Sequence, residues 1–401
     1  MTSFPDPVQS TALVPYDPTL PHISVKAHLE ASADSAVAHA LEVAKFESRH
    51  LAIEGRLAYL VQNLPKMLPF PFSGIIALQA GNGTIIQACH CPNQPEFTTD
   101  QTFNALSVGK LFTATAIMQL IEDGKFSLDT PLSELLTSDE LDVPLRPPYL
   151  AEKPDQQSFQ SLREHASGIT VRHLLTHTAG FTHRPGSEEK GVAEGNNWDQ
   201  AQFGKRCYSN YGYQLLGRII GKHTDSGNML IIDHEMRFRS HIEERIFKPA
   251  GMEGALRESS RLVDGVYPPA RNQPDCFKIP KKGPKEPVKV VDTIEPYPHG
   301  NGCWRMSAQD LLAFGQAMHQ HNRLLKEGSF NDMKEQHLGF MVNHENDDPR
   351  EPIIGYGHPG GGPGMSAFIH TWLTEPPITA VVLSNYSGCA DVKPFIDSTI
   401  H

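Results

Sequence analysis

Apolar residues recur at helical spacing early in the chain: Leu29, Ala36, Ala40, Val43 and Phe46, then Leu51, Ile53, Leu57, Leu60 and Val61. This predicts one or two helices over residues 25–66. The runs GIIALQA (74–80) and TIIQACH (84–90) flank the turn signal GNG and predict a β-hairpin. A largely apolar helix starts at Ser107 and ends near Gly124, a suitable C-cap residue. Residues 127–136 read as a turn and short helix, and residues 170–181 as a short helix stopped by glycine. YSNYGYQLLGRIIGKH (208–223) is a loop feeding an amphipathic helix with Tyr213, Leu216 and Ile220 on its stripe. IFKPAGM (246–252) ends another helix. MSAQDLLAFGQAM (306–318) predicts one opened by a capping box of Ser307 and Asp310. The glycine-rich GHPGGGPG (357–364) precedes two late β-runs, SAFIHTWL (366–373) and ITAVVLSN (378–385). Residues 1–24, 137–170, 181–205 and 262–298 are polar or rich in Pro and Gly, and read as irregular excursions. No internal repeat is visible.

Strands at both ends with helices between them predict an α+β protein. One antiparallel β-sheet is flanked by helices and joined to a mostly helical lobe. The expected division is an N-terminal extension with helices packing on the sheet (1–66), a sheet lobe (67–136 and 300–401) and a mostly helical lobe with loop insertions (137–299). Together they form one catalytic unit with its site in the cleft between lobes.

The composition, 39% hydrophobic and 20% charged over 401 residues, is that of an ordinary globular protein. A net charge of −11 argues against nucleic acid or an acidic membrane as partner. No window approaches the ~18 apolar residues of a membrane span. The first residues lack the basic start and apolar run of a signal peptide, so a cytoplasmic location is expected. Six cysteines (Cys89, Cys91, Cys207, Cys276, Cys303 and Cys389) form no CxxC pair or regular framework. Cys89 and Cys91, flanking His90, read either as metal ligands or as buried free thiols. The absence of a second ligand cluster favours thiols.

Three stretches carry candidate chemistry. Ser107 and Lys110 stand at i and i+3, on one face of a helix. A serine hydroxyl becomes a nucleophile when a base takes its proton, and a buried lysine can be neutral enough to do so. S-x-x-K also arises by chance on surfaces, but here the rest of the helix is apolar. Tyr208 and Asn210 form Y-S-N; a phenol beside an ammonium loses its proton more easily, and an amide can hold a carbonyl or the lysine. The alternative is a turn tyrosine beside a helix start. In GHPGGGPG the glycines permit close approach of a ligand to the backbone, and the N–H of Gly361 could join that of Ser107 in an oxyanion hole. The alternative there is a flexible hairpin loop. His173 and His177 are spaced as a metal pair, but Leu174 stands where a zinc protease has glutamate, which favours packing. Trp304 and Trp372 read as either pocket lining or core.

These stretches, in this order, resemble the serine β-lactamase / penicillin-binding-protein-like superfamily: S-x-x-K, then Y-x-N, then a K-T-G-like triplet before a strand. Flanking text such as LSVGKLFTATAIMQLIEDGK and ITVRHLLTHTAGF is similar to the class C β-lactamase-like branch, over roughly residues 70–390. The resemblance implies Ser107 as acylated nucleophile, Lys110 and Tyr208 as the groups that activate it, and Asn210 as an orienting amide. It places His358, Pro359 and Gly360 at the triplet, with Gly361 beside them at the oxyanion. His358 stands where β-lactamases of this branch carry lysine, and Pro359 lacks a hydroxyl. Both changes favour an esterase or transesterase acting on a small ester or thioester. The alternatives are a D-amino-acid peptidase or β-lactamase-type hydrolase and, in another class, a catalytically silent binding protein. Small-molecule acyl donor and acceptor are the expected partners; no cofactor or metal is indicated, and a protein partner is left open.

Overall fold

The computed structural model describes residues 12–13, 53–67, 72–91, 97–142, 162–182, 197–224, 234–262, 276–278, 288–290, 299–320, 322–362, 364–386, 393 and 396–397. Helical spacing before Ile53 and most of the predicted excursions lie outside them. In chain order the strands are β1 (Ala12–Leu13), β2 (Gly74–Ala80), β3 (Ile86–His90), β4 (Phe103–Asn104), β5 (Ala179–Thr182), β6 (Asn197–Phe203) and β7 (Cys276–Lys278). Then come β8 (Val288–Val290), β9 (Arg305–Met306), β10 (Met341–His344), β11 (Ile353–Gly362), β12 (Met365–Trp372) and β13 (Ile378–Ser384). A seven-stranded sheet has the order β1-β3-β2-β13-β12-β11-β10, antiparallel except where β1 runs parallel to β3. The early hairpin and the late strands therefore share one sheet, as both chain ends predicted.

The main helices are α1 (Ile53–Met67), α2 (Lys110–Glu122), α3 (Val171–Leu175), α4 (Asn210–His223), α5 (His234–Ile242) and α6 (Ala308–His319). Alternation along each strand sends neighbouring side chains to opposite faces. Ile75 and Ala77 enter the main core with α2, α4 and α6, while Ile76 and Leu78 meet α1 on the other face. Leu57, Leu60, Val61 and Leu64 of α1 are fully buried there, each stabilising the layer by about 1.5–3 kcal/mol. α2 is buried from Lys110 to Leu120, so it runs through the interior rather than over it. α6 begins with the predicted capping box: Ser307 Oγ accepts from the Asp310 N–H at 3.1 Å, and the Ser307 N–H donates to Asp310 Oδ2 at 2.7 Å.

Four readings change. The stretch from Gly357 to Gly362 is no hairpin loop but the second half of β11, paired with β12 from Gly355↔Trp372 to Gly362↔Met365. Part of the 181–205 excursion is β6, which returns to β5 and is tied by the Trp198 indole N–H to the Ala179 carbonyl at 2.7 Å. Gly180 consequently sits inside a strand, at φ +88°, instead of ending a helix; a Cβ there would meet the Trp198 ring nitrogen at 2.9 Å. The 262–298 insertion holds the small β7–β8 hairpin. Trp304 and Trp372 are both core residues, 0% and 1% exposed. Among the described residues no helix is long and apolar enough to cross a membrane.

Candidate active site

The serine does not open the α-helix itself. It sits in a 3-10 turn, Leu106–Gly109, that leads into α2. Leu106 adopts φ +51°, a left-handed conformation costing a side-chain-bearing residue roughly 1–2 kcal/mol. Neighbours hold it there. The Leu106 N–H donates to Asn104 Oδ1 at 2.8 Å, and the Ala105 N–H donates to the Trp304 carbonyl at 2.7 Å. Gly109 and Gly302 let the turn press against residues 300–302; a Cβ on Gly302 would lie 2.0 Å from the Leu106 carbonyl. The sharp turn places Ser107 at a cleft wall with Lys110 one turn deeper.

Lys110 is fully buried. Its Nζ donates to Asn210 Oδ1 at 2.7 Å and the Asn301 carbonyl at 2.8 Å, and lies 3.1 Å from Ser107 Oγ. Burial pulls its pKa from the usual lysine value down to about 7, with Cys303 opposing. This geometry suits both protonation states. The ammonium has three donors for three acceptors, and the neutral amine has two donors for the carbonyl oxygens and a lone pair for the serine hydroxyl. Asn210 reaches the lysine because it is the first residue of α4, whose N-cap, Ser209, accepts the Gly212 N–H at 3.0 Å.

Tyr208 stands immediately before that cap, with Lys110 Nζ 4.9 Å from its ring centre and a side-chain hydrogen bond to Ser107. The expected fall in its pKa is absent. Burial drives the phenol upward, outweighing the Ser107 hydrogen bond and the Arg206 charge, so the resting group is a neutral phenol. His358 is also buried, its ring centre 6.2 Å from that of Tyr208. Burial, followed by the charges of Lys110 and Arg206, lowers it to about 3. Its Nδ1–H donates to the Pro359 carbonyl at 2.5 Å. A carbonyl only accepts, so the other ring nitrogen carries no proton and can only accept in turn.

Ser107, Tyr208, His358, Pro359, Gly360 and Gly361 line one cleft of about 330 Å³ with Met341 and Ser366. Pairing of β10 with β11 begins at Met341↔Gly357. Beyond that point the outer edge of β11 faces the serine turn instead of another strand. Gly360 makes this approach possible: a Cβ there would meet the Ala105 carbonyl at 2.7 Å and Leu106 Cβ at 2.9 Å. A Cβ on Gly361 would meet nothing within 4 Å.

The structure adds residues that sequence reasoning missed. Asn301 supplies a backbone carbonyl to Lys110, and the half-buried Cys303 lies within electrostatic reach of Lys110 and Tyr208. The glycines of GNGC (300–303) were the available signal for this loop. His177 parts company with His173: its ring lies 4.6 Å from Tyr208, and its Nδ1 accepts the Ser209 N–H at 3.1 Å. His173 Nδ1 instead accepts the Thr170 N–H at 3.1 Å, at the start of α3. Each histidine thus spends a nitrogen on a different backbone group. The exposed Arg206 lies within electrostatic reach of Tyr208, His177 and His358.

An antiparallel sheet flanked by helices, with a serine, a buried lysine and a tyrosine meeting at one cleft, defines a β-lactamase/transpeptidase-like fold. A model of the Beta-lactamase family matches residues 90–394, and the chain belongs to that family. Penicillin-binding protein 4 of Amycolatopsis lactamdurans is 27% identical over 317 residues, covering 72% of this chain and 73% of that protein. Monacolin J acid methylbutanoyltransferase of Aspergillus terreus is 33% identical over 98 residues, 23% of this chain and 21% of that one. A D-stereospecific amidohydrolase from Streptomyces sp. is similar in structure, with a TM-score of 0.56 at 19% identity over 92% of this chain and 98% of that one. At that identity the likeness concerns the fold alone. The chain is an enzyme of the serine hydrolase and acyl-transferase type.

Proposed function

We propose that the protein transfers acyl groups through a covalent acyl-Ser107 intermediate, as an esterase or transesterase on a small ester or thioester. The observation that carries this reading is the contact of the buried Lys110 amine with Ser107 Oγ at 3.1 Å. Neutral Lys110 takes the serine proton as Oγ attacks the acyl carbon. The N–H groups of Ser107 and Gly361 receive the developing oxyanion. The Tyr208 phenol protonates the leaving oxygen or sulfur and becomes a phenolate, stabilised by the Lys110 ammonium. In the second half the phenolate takes the acceptor's proton, the acceptor attacks the acyl carbon, and Lys110 returns its proton to Ser107. Asn210 holds Lys110 in place throughout. Each proton removed is thereby restored.

Preference for an ester or thioester over a β-lactam rests on His358. It is neutral where a β-lactamase of this branch places a cation, so a substrate carboxylate gains no partner there. Similarity to a methylbutanoyltransferase over 98 residues supports acyl transfer as well as hydrolysis. A cytoplasmic location belongs to the same reading.

The test is acylation followed by intact mass, with p-nitrophenyl butyrate, nitrocefin and a D-aminoacyl amide as alternative donors. Ser107→Ala should form no adduct and lose at least about a thousandfold in turnover; an adduct on this variant overturns the nucleophile. Faster turnover of nitrocefin or the amide than of the ester would make the peptidase or β-lactamase reading the correct one. Adding an alcohol and analysing products separates transfer from hydrolysis.

A further inference from the structure

At the end of β3, away from the residues just described, two thiols lie in contact. Cys89 Sγ donates its proton to Cys91 Sγ at 3.7 Å. Strand alternation explains the pairing: residues at i and i+2 share a face, and the residue between them points the other way. His90 accordingly stacks on Phe72, 6.5 Å between ring centres, and feels the charge of Lys66 from α1. Cys89 packs against the main core on the opposite face. The ring is turned away from the sulfurs, which separates the three residues as a metal-ligand set and leaves the two thiols facing each other. Both residues retain some exposure, Cys89 as a half-buried residue and Cys91 with 9% of its surface exposed.

We propose that Cys89 and Cys91 form a redox-active dithiol that reacts with small organic disulfides and closes to an intramolecular disulfide. Two residues along an extended strand separate the Cα atoms by about 6.6–6.8 Å, the upper end of the span a disulfide bridges. The sulfurs must approach by roughly 1.6 Å to bond, a change that side-chain rotation at the strand end supplies. β1 pairs only with Ile86 and Gln87, so among the described residues this end of β3 has no strand on its outer side to resist the adjustment. The hydrogen bond assists the first step, because the sulfur that accepts a proton is the one stabilised as a thiolate.

That thiolate attacks one sulfur of the external disulfide, forming a mixed disulfide and expelling a thiolate that takes up a proton. The second thiol then loses its proton and attacks the mixed disulfide at the protein sulfur, expelling the other small thiolate, which is protonated in turn. Overall, two protein thiols give two electrons and two protons to the reagent, which leaves as two thiols. A bridge at the upper limit of that span is strained, and strain makes a disulfide easy to reduce. The site therefore cycles and does not act as a permanent staple.

The test treats the full chain with excess oxidised glutathione, quenches with acid, and maps peptides by mass. The peptide carrying both cysteines should lose two hydrogen atoms and recover them in dithiothreitol. Cys89→Ser and Cys91→Ser should each abolish that loss and leave a glutathione adduct on the remaining cysteine. Two glutathiones on the wild-type peptide, or two free thiols there under conditions that modify Cys207 or Cys303, would overturn the proposal. The serine variant Ser107→Ala should form the same bridge, which separates this chemistry from acyl transfer.

Discussion

Lys110 lies behind the serine turn and His358 lines the same cleft from β11, and burial strips charge from both. Their ends differ. Lys110 comes down to about 7 and remains able to exchange a proton near neutrality, whereas His358 falls to about 3 and stays a neutral ring. The lysine has three polar partners on one nitrogen. The histidine has a single carbonyl, and it faces the charges of Lys110 and Arg206. Burial lowers both comparably, and the higher ordinary value of a lysine amine is what leaves Lys110 able to exchange a proton near neutrality. One wall is built for proton exchange and the other for close backbone approach.

This contrast can be broken from either side. The largest effect after loss of the serine is expected from Gly360→Ala. Its methyl group would collide with the Ala105 carbonyl and Leu106, displacing β11 from the serine turn, so kcat/KM for an ester should fall about a hundredfold. A fall under threefold would show that this approach is not needed. Next is pH. Acyl transfer requires neutral Lys110, so the acylation rate should rise about tenfold per pH unit below 7 and level off above it. His358→Gln should leave that limb in place, because the histidine is already neutral there; stopped-flow pH profiles of both proteins decide. A limb that moves with the His358 substitution would reverse the roles of the two walls. The smallest effect concerns Arg206, exposed beside the cleft. Arg206→Ala should weaken selection of an anionic ester over a neutral isostere by a few-fold, and added salt should reproduce the loss in the wild type.

The sheet and the buried helix were legible because their patterns are local: short apolar runs bounded by turn residues in β2 and β13, a continuous apolar run in α2, a capping box before α6. Ser107, Lys110, Tyr208 and Asn210 were legible as residue types at set spacings, and the fold brings them together. What the sequence hid was contact between distant segments. Nothing local marks the Asn301 carbonyl as a partner of Lys110, or His177 as the ring against Tyr208. GHPGGG read as the approach to a strand, with a loop as the alternative, because glycine lowers strand propensity. The outcome was decided by a long-range fact, the press of β11 against residues 105–107. Tyr208 was misjudged for a related reason: its neighbours were foreseeable, but the extent of its burial was not.

The late start of β10 has one more consequence. Because pairing with β11 begins at Met341↔Gly357, the opening beside the serine is bounded by a count of hydrogen-bonded residue pairs rather than by any one side chain. Starting β10 one residue earlier would close about 3.3 Å of it, and starting one later would open as much. Acyl-chain length could thus change in steps close to the length of two or three carbon–carbon bonds, with the serine, lysine and tyrosine left untouched.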